Sequence, residues 1–175
     1  MDEEFKSAYQ ELLQDNQPVY LTLTKLSAWL MLTPIQLAAK HPQAKNSVFI
    51  KKAVKVAKAI ETLVVSDSPT LKEVARCGWL CKEPKVSTHQ FKSAFVNLPS
   101  EEISLQLSKE EVWCVLVASQ LASRHPKYKN TEAARLNKII VDQLTETIPK
   151  GDLLTILRAG WDTRFDQPIN KKGFG

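Results

Sequence analysis

The stretch LTLTKLSAWLMLTPIQLAAKHPQAKN at 21–46 returns at 105–130 as LQLSKEEVWCVLVASQLASRHPKYKN, with twelve of 26 residues identical at a constant offset of 84. The echo runs further in both directions. FKSAY at Phe5–Tyr9 returns as FKSAF at Phe91–Phe95, and L-x-x-V-A-R-C-G-W ending at Trp79 returns as L-x-x-I-L-R-A-G-W ending at Trp161. Self-similarity at one period marks a supersecondary unit used twice. The expected architecture is mainly α: a tandem duplication of a unit of roughly 85 residues, 1–86 and 87–175, related by a pseudo-twofold axis. A unit of that size lies near the lower limit for a core of its own, so the two are expected to pack as one globular domain. The tail 164–175, rich in Gly, Lys and Asn, is expected to be flexible.

Within each unit the pattern predicts about three helices. An amphipathic segment of unassigned type comes first. A short strand follows, because apolar residues alternate at Val19, Leu21, Leu23 and at Ile103, Leu105, Leu107. Thr24 and Ser108 then stand where a helix cap is wanted, and Ser108 with Glu111 forms a capping box. The helix after them is expected to run to about Lys40 or Arg124, with a buried stripe of Trp29, Leu32, Gln36 or Trp113, Leu116, Gln120, and with a kink or late start at Pro34. His41-Pro42 and His125-Pro126 stop it, since proline drives the preceding residue out of the α region. Asn46-Ser47 and Asn130-Thr131 open a second helix to about Val65 or Ile148. A third starts at Ser68-Pro69, or near Asp152, and is expected to close at Gly78-Trp79 or Gly160-Trp161. All four Trp residues are expected in the core.

Composition narrows the functional classes. The acidic start MDEEF does not read as a secretory signal, and the longest uncharged stretch, Leu26–Ala39, is 14 residues and contains Pro34, short of a membrane span. Three cysteines suggest a reducing compartment, so the chain is read as cytoplasmic with no membrane partner. Cys77 and Cys81 could meet on one helical turn, but residue 159 is Ala in the second unit, and no metal or other cofactor is expected. There is no Gly-rich phosphate loop, nucleophile elbow or His-Glu-x-x-His, so no catalytic residue is assigned and an enzyme is the less favoured class.

Two residue sets remain. One is the retained polar set Gln36, His41, Asn46 with Gln120, His125, Asn130, which either satisfies backbone groups at the helix ends or frames a small-ligand or enzymatic site at the two His-Pro loops. Gln36 and Gln120 are expected to be largely buried. The other is a basic strip, Lys40, Lys45, Lys51 with Arg124, Lys129, Arg135, cationic in both units. Such a strip suits an acidic protein partner, or alternatively the phosphates of a nucleic acid, although net charge is only +5. The leading expectation is a non-enzymatic interaction module presenting duplicated basic surfaces to an acidic protein.

Overall fold

The computed structural model describes residues 3–42 and 44–148. The expected helix near Asp152–Trp161 and the tail 164–175 lie outside them. Among the described residues the chain is mainly helical with one two-stranded sheet. In order come α1 (Glu3–Gln14), β1 (Val19–Thr24), α2 (Lys25–Lys40), α3 (Val48–Val65), α4 (Pro69–Leu80), α5 (Thr88–Phe95), β2 (Glu102–Leu107), α6 (Lys109–Ala122) and α7 (Glu132–Thr145). No helix among these residues is long and apolar enough to cross a membrane.

The caps are where hydroxyl side chains precede the apolar runs. Thr24 accepts from Ser27 N, Ser47 from Phe49 N, Ser68 from Leu71 N and Thr131 from Ala134 N. Ser87 with Gln90, and Ser108 with Glu111, form reciprocal capping boxes. Asn46 and Asn130 are exposed and sit one residue before the caps, so neither caps a helix. The initial amphipathic segments are the helices α1 and α5.

Four expectations need correction. Helix α2 starts at Lys25 and runs unbroken through Pro34, which is buried. Helix α6 ends at Ala122 and α7 at Thr145, each short of its expected end. Helix α4 does not close at Gly78-Trp79 but continues to Leu80, and the left-handed residue beyond its end is Cys81 (φ 53°, ψ 41°). Lys82 N donates to Cys77 O at 3.0 Å and Cys81 N to Gly78 O at 3.4 Å, the paired bonds of a Schellman ending. Gly78 serves packing instead: a Cβ there would lie 2.5 Å from Gln36 Oε1, so its lack of a side chain lets α4 approach α2.

Fourth, the Trp residues do not share one environment. Trp113 is fully buried, whereas Trp29 and Trp79 are half-buried, and Trp161 lies outside the described residues. Trp79 donates from Nε1 to Glu61 at 2.6 Å while Lys58 Nζ lies 4.4 Å from the centroid of its ring.

The sheet joins the two halves of the chain. Strand β1 pairs antiparallel with β2 so that Leu21 faces Leu105, Val19 faces Leu107 and Leu23 faces Ile103. Leu21 and Leu105 are 84 residues apart, and the flanking pairs exchange with each other under that offset, so the register is symmetric about this pair. Contacts around the sheet cross in the same sense. Tyr9 of α1 packs on Trp113 of α6 (5.4 Å between centroids), and Phe95 of α5 packs on Trp29 of α2 (6.0 Å). Lys25 pairs with Glu101 at 2.6 Å, and Lys109 pairs with Asp15. The core gathers under the sheet between α2, α3 and α6.

Candidate functional site

The two His-Pro turns have the same backbone construction. His41 N donates to Ala38 O, while Ala44 N (3.1 Å) and Lys45 N (2.9 Å) both donate to His41 O. Likewise His125 N donates to Ala122 O, and Tyr128 N and Lys129 N both donate to His125 O at 3.0 Å. Proline supplies the stop and the His carbonyl collects the next two donors, so the chain turns through about four residues into the following helix.

Both imidazoles are buried. His125 Nδ1 accepts from Lys127 N at 3.1 Å. Burial, with the neighbouring Lys127 charge second, lowers the His125 pKa from its ordinary value near 6.5. A group with a depressed cationic pKa binds fewer protons folded than unfolded, so stability should fall as pH drops from about 6.5 toward the folded-state pKa. Denaturant midpoints measured between pH 7.5 and 5 should show that slope, and His125→Gln should flatten it. The carboxylates held low by ion pairs, Asp15, Glu73 and Glu132, act only below their own ordinary range near 4.

The retained polar residues diverge once placed. Gln36 is partly exposed but mostly covered, and its Nε2 donates to Ala75 O of α4 at 3.2 Å. Gln120 is likewise mostly covered and lines a cleft between α6 and α7 of about 700 Å³. Lys129, Asn130 and Arg135 line the same cleft, so four of the residues singled out in the second unit converge there. Their counterparts do not: Gln36 lines a smaller groove between α2 and α4, and Lys45 and Lys51 point to solvent.

The cleft arises because α7 leans less on α6 than α3 does on α2. Between α2 and α3 the buried positions include Ile35, Ala44, Ala53 and Ala57; at the 84-residue offset these become Ser119, Tyr128, Asn137 and Val141. Three small alanines let α2 and α3 close on one another, whereas the larger Tyr128, Asn137 and Val141 at the matching positions hold α6 and α7 apart, and Ser119 in place of Ile35 fills less of the gap. Tyr128, Ser119 and Asn137 carried no obvious pattern in the sequence. The signal that could have found them is the change from apolar to polar at these positions.

Of the basic strip, Lys45, Lys51, Arg124, Lys129 and Arg135 are exposed, while Lys40 is half-buried. Arg135 is held by Glu132 and Lys138 by Asp142 on the same helix. Lys52 is engaged by Glu110, which also accepts from Tyr9. Cys77, Cys81 and Cys114 are unbridged thiols, and burial raises the pKa of Cys114 to about 12. Among the described residues no cluster of His, Cys, Asp and Glu is grouped to hold a metal ion.

No family model, curated protein or solved structure matches the chain.

Proposed function

We propose that the chain is a tandem duplication, units 1–86 and 87–175, folded about a pseudo-twofold axis at the Leu21–Leu105 pair, and that it acts in the cytoplasm as a non-enzymatic interaction module for an acidic protein partner. The symmetric strand register, the exchanged aromatic pairs and the two ion pairs of Lys25 and Lys109 support the duplicated architecture.

One observation carries the binding reading. From Lys40 to Lys58 there is no acidic residue, and exposed Lys45, Lys51 and Lys55 make no ion pair among the described residues. Lys51 and Lys55 are one helical turn apart on α3, and the row is flanked by exposed Val48 and Leu63. Cations beside apolar points suit an acidic, amphipathic protein surface better than a bare phosphate backbone. The strip is unequal between the units, because Arg135 and Lys138 already have carboxylate partners. The first unit therefore carries most of the attraction.

The test is affinity for an immobilised acidic polypeptide, polyglutamate, measured beside mixed-sequence RNA over a range of salt. Lys45→Glu with Lys51→Glu should weaken polyglutamate binding about tenfold or more, and Arg135→Glu should do much less. Raising salt above physiological strength, where screening already acts over about 8 Å, should weaken the wild-type complex. Unchanged binding by a folded double variant would reduce the strip to a solvated helix face. Preference for RNA would move the reading to nucleic acid.

A further inference from the structure

We infer that the cleft between α6 and α7 binds a small planar molecule that presents a hydrogen-bond donor beside an acceptor, as a carboxamide or a nucleobase edge does, and that Asn137 and Tyr128 read it. This inference does not depend on the basic strip. Asn137 is 4% exposed and Tyr128 6%, and both line the cleft. Asn137 Oδ1 has no hydrogen-bond partner among the described residues, and the Tyr128 hydroxyl has only the Asn137 side-chain amide beside it. Leaving such an acceptor buried and unpaired is unfavourable, and a hairpin that needed only to pack is already available in the Ala44 and Ala53 solution of the first unit.

The chemistry of the pair selects the ligand. Burial, against a smaller downward pull from the hydrogen-bonded Asn137 amide, leaves the phenol's pKa raised to about 12, so Tyr128 keeps its proton at neutral pH. Tyr128 thus offers O–H and Asn137 offers Oδ1. If the amide is turned over, the pair offers N–H from Asn137 and a lone pair from Tyr128, again one donor and one acceptor. A carboxylate has no donor for the pair, and an ammonium has no acceptor. An amide edge has both. Arg135 and Lys138 of the lining are compensated by Glu132 and Asp142, while Lys129 has no carboxylate partner among the described residues, and Val141 and Ala134 offer an apolar wall to the ligand's ring. The volume, about 700 Å³, is in the range of small-molecule sites.

The experiment titrates the full chain with benzamide and with uridine, using benzoate as the control of equal shape without a donor, and follows amide chemical shifts. At least one of the two probes should bind, with benzoate at least about tenfold weaker. Benzamide above uridine identifies a carboxamide ligand, and the reverse order a nucleobase. Asn137→Ala installs the residue the first unit uses, and Tyr128→Phe removes only the hydroxyl. Each should weaken the bound probe about tenfold or more without lowering the melting temperature. The proposal is overturned if neither probe binds, whether water or the chain beyond residue 148 then satisfies the pair. It is equally overturned if Asn137→Ala binds as tightly as wild type, or if the variants lose stability while the probe contact is unchanged.

Discussion

Trp113→Ala should cost the fold about 3 to 5 kcal/mol, a large share of the roughly 5 to 15 kcal/mol that a domain possesses. The indole is completely buried, with Phe49 edge-on at 4.5 Å and Tyr9 tilted against it at 5.4 Å. Truncation removes the transfer free energy of the largest side chain in the core. It also leaves a cavity that three elements, α1, α3 and α6, would have to collapse together. Trp29 occupies the matching position in the first unit but is half-buried, with Phe95 as its aromatic neighbour at 6.0 Å. Trp29→Ala should therefore lose less, because the side chain hides less area and its partly open site leaves a smaller closed cavity. Urea denaturation of the two variants side by side decides the matter. Equal losses would mean that environment at these two positions is unimportant and that the asymmetry between the halves has no energetic content.

That asymmetry also marks what the sequence could and could not reveal. Strand alternation, hydroxyl caps and His-Pro stops are local rules, obeyed in both halves, and they place β1, β2, α2, α3, α4, α6 and α7 to within a few residues, whereas α1 and α5 read only as amphipathic segments of no assigned type. Burial of a particular side chain is not local. Trp29 and Trp113 are identical and sit at the same helical position, yet only Trp113 receives both a phenol from α1 and a ring from Phe49 of α3. The position matching Phe49 is Ala133, so among the described residues Trp29 has no equivalent second ring. Gly78 reads as a helix terminator in sequence, but its neighbour in space is Gln36, 42 positions earlier, and that approach explains the glycine. Lys25 and Lys109 were visible only as identities. Their ion pairs with Glu101 and Asp15 reach across to the other half, which one helix period cannot disclose. The cleft was hidden for the opposite reason: its key residues Asn137 and Tyr128 are places where the halves differ, and attention to what repeats passes over them.

Separating the halves should be more damaging than any single substitution. A fragment of residues 1–86 keeps α1 to α4 but loses the partner of β1, the Trp113 seat of Tyr9 and the Glu110 that engages Lys52. It also exposes the faces of α2 and α3 that α6 covers. A lone edge strand over an uncovered apolar layer cannot offset the conformational entropy of some 80 residues. The fragment at low micromolar concentration should show no cooperative thermal transition as a monomer, by circular dichroism with light scattering. Adding residues 87–175 should restore one. At high concentration the symmetric register allows a second outcome, since β1 of two fragments can pair about Leu21 as β1 pairs with β2. Such a dimer would keep the Lys109–Asp15 type of ion pair, since Lys25 stands where Lys109 does and Asp15 is present, but would lose the Lys52–Glu110 type, because Leu26 stands where Glu110 does. A monomeric fragment that melts cooperatively by itself would contradict the interlocked architecture, because each unit would then hold a sufficient core without the other.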